Sequence, residues 1–232
     1  MSRLHVNVGW LLGGALVLTP AMAKSDVLLT GQTRSVRASA GDASGTMSDS
    51  KSASGFGCYD DSITFSYTST QFGGGGTGMA LQTSAIYPWV ITGDGTGTGN
   101  GGAGVGTGFA GGTSYLQATF TVTSPTAYSL EGFISAPTGF NRASVILTGP
   151  SGEIAKEEIG EFTGSFGSVL FTGLQGFSGI LLPGDYTITA EASANDDSFA
   201  GPQALFDFSL IVPEPASSLL ALVSFPLVLR LK

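Results

Sequence analysis

Carboxylates are the chemistry this sequence offers in quantity. Glu153, Glu157, Glu158 and Glu161 form the densest group. Two acids held at a fixed separation across a cleft are what a carboxylate-dependent glycoside hydrolase requires. On a strand, alternation places Glu153 and Glu157 on one side and Glu158 on the other. No aromatic sugar platform accompanies them, so a solvated strand and turn is the expected role. Asp60 with Asp61, and Asp196 with Asp197 after Asn195, are the candidate calcium ligands, since calcium takes hard oxygen donors. Neither group has EF-hand spacing, and Asx-rich turns form for backbone reasons alone. No other cofactor is expected. Tyr87 and Trp89 flank Pro88 among Ile86, Val90 and Ile91, so core packing is the expectation, with an exposed sugar-stacking platform as the alternative.

The scarce residue types narrow the chemistry further. The only histidine is His5, in a leading apolar segment expected to be removed. The remaining chain then has no imidazole, which excludes Ser–His and Cys–His catalysis and the commonest neutral zinc ligand. Cys58 is the only cysteine, so no internal disulfide can form. It reads as a small side chain beside a turn, the other readings being an intermolecular disulfide or a reactive thiol. Residues 24–212 hold six Lys and Arg against sixteen Asp and Glu, a net charge of −10. So acidic a domain repels phosphate backbones, and no nucleic-acid partner is expected.

The elements that would position these groups are strands. Charged residues make up 11% of the chain, and Gly (36) and Phe (15) are abundant, a composition that points to an all-β protein. Residues 115–123 (YLQATFTVT) place Leu116, Ala118, Phe120 and Val122 on one face and polar residues on the other. Segments 63–68, 79–92, 128–135, 143–148, 153–159, 168–172, 179–186, 186–192 and 204–212 read similarly, with Gly, Pro, Asn and Asp turns between them. No sustained helical period occurs. The expectation is one antiparallel β-sandwich, jelly-roll-like, over 24–212, with 24–57 an edge strand or poorly ordered. The glycine tracts at 73–78 and 93–112 are expected to be long mobile loops at the sandwich edge, because glycine loses the most backbone entropy when fixed. Asp94 is the only acid in the second tract, too few for a calcium-binding Gly/Asp repeat.

Both ends read as processing segments. Residues 1–23 combine Arg3, an apolar stretch at 10–18 and the Ala21-x-Ala23 site, the pattern of a helical signal peptide cut by signal peptidase after Ala23. At the other end, Val212-Pro213-Glu214-Pro215 precedes a fourteen-residue run at 216–229, apolar from Leu219, and then Arg230 and Lys232. The prolines keep Glu214 extended. The run can engage a bilayer as a hydrophobic helix, its basic end preferring the cytoplasmic side.

This tail resembles the PEP-CTERM sorting domain of Gram-negative bacteria. The resemblance implies Pro213, Glu214 and Pro215 as the residues recognised by an exosortase-type membrane protease. It also implies transient anchoring in the inner membrane at 213–232, then release to the cell surface or beyond, in association with extracellular polysaccharide. Residues 115–212 also resemble the sandwich found upstream of such tails, including a G-x-L-x-P-G-x-Y hairpin at 179–186. The expected function is that of a noncatalytic exported surface or matrix protein. The alternatives are a carbohydrate-binding or adhesion module, with or without calcium, and an extracellular carboxylate-dependent hydrolase.

Overall fold

Alternation of inward apolar and outward polar residues builds thirteen strands among the described residues. A computed structural model describes residues 26–213, apart from 43–44, 69–73, 103–107, 138–140, 162 and 197–202. The strands are β1 Val27–Asp42, β2 Gly45–Ser52, β3 Gly57–Thr68, β4 Gly75–Tyr87, β5 Val90–Gly102, β6 Phe109–Val122, β7 Thr126–Ala136, β8 Arg142–Gly149, β9 Gly152–Gly160, β10 Gly167–Phe171, β11 Phe177–Leu181, β12 Gly184–Asp196 and β13 Gln203–Ile211. They form two antiparallel sheets. Sheet A runs β2-β1-β6-β12-β8-β9; sheet B runs β10-β7-β13-β5-β4-β3, with β11 also pairing with β7.

The core lies between the sheets. Phe120 and Leu116 of β6, Ile188 of β12, Leu147 of β8, Leu130 and Ile134 of β7, and Phe206 of β13 are fully buried. Each large apolar side chain so placed contributes about 1.5–3 kcal/mol. Phe120 stacks on Tyr186 with ring centroids 5.5 Å apart.

The edge strand expected within 24–57 is β2, at the end of sheet A, but a second, inner strand precedes it, and the expectation of mobile glycine loops gives way. Residues 27–42 are one sixteen-residue strand inside sheet A, paired with β2 on one side and β6 on the other. Val36, Ala38 and Ala40 point inward, so small residues carry the alternation that a hydrophobicity count overlooks. Most of the glycine-rich stretch 93–112 is likewise strand, in β5 and β6. Gly93, Gly95, Gly97 and Gly99 alternate with Thr92, Asp94, Thr96 and Thr98, and the glycines face inward. A Cβ at Gly97 would overlap the Gly112 carbonyl, and one at Gly112 would overlap the Met79 carbonyl. Backbone therefore meets backbone where stacked sheets ordinarily sit roughly 10 Å apart. Beside this, Phe206 and Phe208 fill the space left at Gly93, where a Cβ would stand 2.9 Å from Phe208.

Arg34 of β1 is 1% exposed and holds the β2–β3 connection. Its guanidinium donates to the carbonyls of Gly55 and Gly57 (the latter at 2.8 Å), to Gln32 Oε1 at 3.0 Å and to Ser84 Oγ at 3.3 Å. It also lies 5.5 Å over the Tyr59 ring. Burial lowers the Arg34 pKa from its ordinary value.

Candidate functional site

The outer face of sheet B brings together residues far apart in sequence. Along one cross-strand row, Asp60 of β3 pairs with Thr83 of β4, Thr83 with Asp94 of β5, Asp94 with Asp207 of β13, and Asp207 with Phe133 of β7. Neighbouring strands lie roughly 4.8 Å apart, so the row sets carboxylates and a hydroxyl side by side on one face. The next row runs Cys58, Ala85, Thr92 and Ser209. Asp60, Thr83, Asp94 and Asp207 of the first row and Cys58, Ala85 and Thr92 of the second line a shallow depression of about 400 Å³.

Thr83 Oγ1 donates to Asp60 Oδ1 at 3.3 Å, which leaves most of the acceptor capacity of that carboxylate facing outward. Partial burial raises the Asp94 pKa above the ordinary carboxylate value, and the Asp207 charge beside it adds to the shift. None of the strands of sheet B contains a lysine or arginine. The described cations all belong to sheet A: Arg34, Arg37, Lys51, Arg142 and Lys156.

At the edge of the depression stands an aromatic step. Tyr87 ends β4 and Trp89 occupies the two-residue turn into β5, which Pro88 opens. Their rings stack with centroids 5.9 Å apart and planes 13° from parallel. Trp89 is 48% exposed and Tyr87 38%. This corrects the expectation of core packing: Ile86 and Ile91 turn inward, so alternation turns Tyr87 outward. Cys58, expected beside a turn, lies at the start of β3, exposed, with Sγ 3.4 Å from the Tyr87 hydroxyl. It lines the depression as well and so joins step to row. That contact with the thiol is the main cause of a raised Tyr87 pKa.

The other sequence candidates do not converge. Asp60 and Asp61 sit on opposite faces of β3; Asp61 accepts from Lys51 Nζ at 2.7 Å, which lowers its pKa. Asp196 ends β12, and Asp197 lies outside the described residues. Among the described residues no group of three or more His, Cys, Asp and Glu side chains is arranged to hold a metal ion. The glutamate cluster is rearranged by a bulge in β9, where the pairing skips Ile154. Glu153 thereby shares the outer face of sheet A with Glu158, both against Lys156 (3.9 and 3.0 Å), while Glu157 takes the opposite face and its pKa is raised by burial. Arg142 bridges Glu158 at 3.3 Å and Glu191 at 3.8 Å. These are ion pairs on a strand surface rather than acids opposed across a cleft. Ala21, Ala23, Glu214, Pro215, Arg230 and Lys232 lie outside the described residues, and Pro213 follows β13 directly.

Sequence reasoning noted Asp94 only as a lone acid in a glycine tract, and Asp207 only within the alternating segment 204–212. Alternation put Asp207 outward, whereas Asp94 had no face because its tract was expected to be a loop; the register that joins them to Asp60 and Thr83 is a property of the folded sheet.

The fold and the face together define an all-β protein of two antiparallel sheets, consistent with a β-sandwich, carrying a depression that Asp60, Asp94, Asp207 and Thr83 help line, with an aromatic margin. No protein-family model and no curated protein matches the chain. Among solved structures, that of TmCBM61 in complex with beta-1,4-galactotriose is similar over 67% of this chain and 87% of that one, at 12% sequence identity and a TM-score of 0.23.

Proposed function

We propose that this is a noncatalytic surface or matrix protein that binds extracellular polysaccharide on the outer face of sheet B. The observation that carries the reading is the exposed Tyr87 and Trp89 stack beside a depression lined by carboxylates and hydroxyls. Aromatic faces accept the C–H faces of sugar rings, while Asp60, Asp94 and Asp207 accept hydrogen bonds from sugar hydroxyls. A sheet with acids and no Lys or Arg repels uronates and sulfates, so the ligand is a neutral glycan. Export through residues 1–23, and sorting through 213–232 by an exosortase-type protease, deliver the domain to that polymer.

Co-sedimentation tests this. The protein is mixed with a neutral β-glucan, with β-1,4-galactan, with a polyuronate and with the host's own polysaccharide, with calcium and with a chelator. Saturable binding to a neutral polymer is expected, weakened about tenfold or more in Trp89→Ala, the equivalent of about 1.4 kcal/mol. Loss of binding on chelation would assign the face to the calcium-dependent alternative. Absence of saturable binding overturns the reading. Release of reducing ends would make Asp94 and Asp207 a catalytic pair instead.

A further inference from the structure

The register of the two sheets sorts the turns into two ends. At one end lie the start of β1, the end of β13, and the turns at 87–90, 122–126, 149–152 and 181–184. Both ends of the described chain leave here: Thr123 N donates to Asp26 O at 2.8 Å, and Val212 N to Trp89 O at 3.0 Å. Each of those four turns contains a proline, namely Pro88, Pro125, Pro150 and Pro183, and Pro213 marks the exit. Proline brings no N–H that would have to be stripped of water.

The same end carries exposed aliphatic side chains: Ile180 (68%), Leu182 (64%), Ile211 and Leu28. Its described acids include Asp26, Asp185 and, beside the turn at 149–152, the exposed Glu153, 3.9 Å from Lys156 Nζ. Asp26 accepts from Ser124 Oγ, and Asp185 from Thr121 Oγ1, each at 2.6 Å. From Pro213 only six residues separate the sandwich from the apolar run that begins at Leu219, a reach of about 20 Å at most. The strands themselves extend about 40 Å, as in the thirteen residues of β12. A chain held by 219–229 in a bilayer therefore has this end within reach of the lipid and the opposite end far from it.

We infer that the proline-turn end of the sandwich is a lipid-contacting surface, with Leu182, Ile180 and Leu28 seated in the headgroup region while the tail is inserted. The contact buries apolar side chains at a boundary with few backbone donors to desolvate. The inference rests on the tail insertion proposed above and not on glycan binding, although the turn at 87–90 that carries Tyr87 and Trp89 lies at the same end.

The test is depth-sensitive fluorescence on the full chain in zwitterionic vesicles. In a Cys58→Ser background, an environment-sensitive dye is attached at Leu182→Cys, at Ile180→Cys and, at the far end, at Met47→Cys, all exposed positions. Lipid-borne quenchers are expected to quench the dye at 182 and 180 at least threefold more than the dye at 47, and aqueous iodide to show the reverse order. Equal quenching at the three positions overturns the proposal. Concentration-dependent shielding of 182 and 180 without lipid overturns it too, and assigns the surface to a second copy of the chain. A full chain that stays in solution with all three dyes open to iodide also refutes it.

Discussion

Replacing Gly97 by alanine separates two physical accounts of the glycine-rich stretch by the sign of its effect. In a solvated loop, Gly→Ala is neutral or stabilises by about 0.4–1 kcal/mol, because the unfolded chain loses freedom. In β5 the new Cβ would overlap the Gly112 carbonyl and stand 2.9 Å from the carbonyl oxygen of Ala192. Both neighbours are backbone of β6 and β12, which are hydrogen-bonded into sheet A on both sides, so neither can step aside. The sheets must part instead, an overpacking cost of about 1–3 kcal/mol. With about 2 kcal/mol as the net effect, a domain of this size should melt about 4–8 °C lower. Thr96→Ala, one residue earlier and facing outward, should shift the midpoint by no more than about 2 °C. Circular dichroism melts of wild type and both variants decide it. A Gly97→Ala protein that melts at or above the wild-type temperature would refute the backbone-on-backbone packing.

Arg34→Met keeps bulk but removes every donor to Gly55, Gly57, Gln32 and Ser84. A stability loss of about 2–4 kcal/mol is expected from denaturant titration, together with early proteolysis near 53–57. Burial raises the pKa of Tyr59, Tyr115, Tyr128 and Tyr186 above the ordinary 10.0, with acidic neighbours adding to the shift at Tyr59 and Tyr115. A raised folded-state value for an acid gives stability that is complete below the unfolded value and lost as pH rises through the folded one. The protein should therefore be indifferent to pH just below 10 and lose stability above it. Phenolate absorbance should show these tyrosines ionising with unfolding rather than ahead of it.

The strands with large apolar residues were legible from alternation alone: 115–123, 128–135, 143–148, 186–192 and 204–212 fall in β6, β7, β8, β12 and β13. What hid β1 was size, for Val36, Ala38 and Ala40 mark the inner face with little hydrophobicity. What hid β5 was a true rule applied to the wrong case. Glycine does cost a strand entropy, yet the run Gly93-Asp94-Gly95-Thr96-Gly97-Thr98-Gly99 has period two, and close approach of the sheets requires its absent side chains. The glutamate faces inverted because a bulge at Ile154 shifts the parity of everything before it, and no single sequence announces a bulge. Asp60, Asp94 and Asp207 come from three strands that meet only through pairing, so the row could not be assembled before the register was known.

The inner glycines of β5 also divide the strand by what evolution can do with it. The inward positions Gly93, Gly95 and Gly97 are closed to substitution, because even the smallest side chain meets backbone or a packed phenylalanine ring or hydroxyl. The outward positions between them, Asp94 and Thr96, are freer, since their side chains point away from the core between the sheets. Descendants of this chain can therefore change the outer face of this strand, Asp94 in the depression included, while the inner face stays fixed. The part of the sequence that looks least informative is the part that frees its surface to diverge.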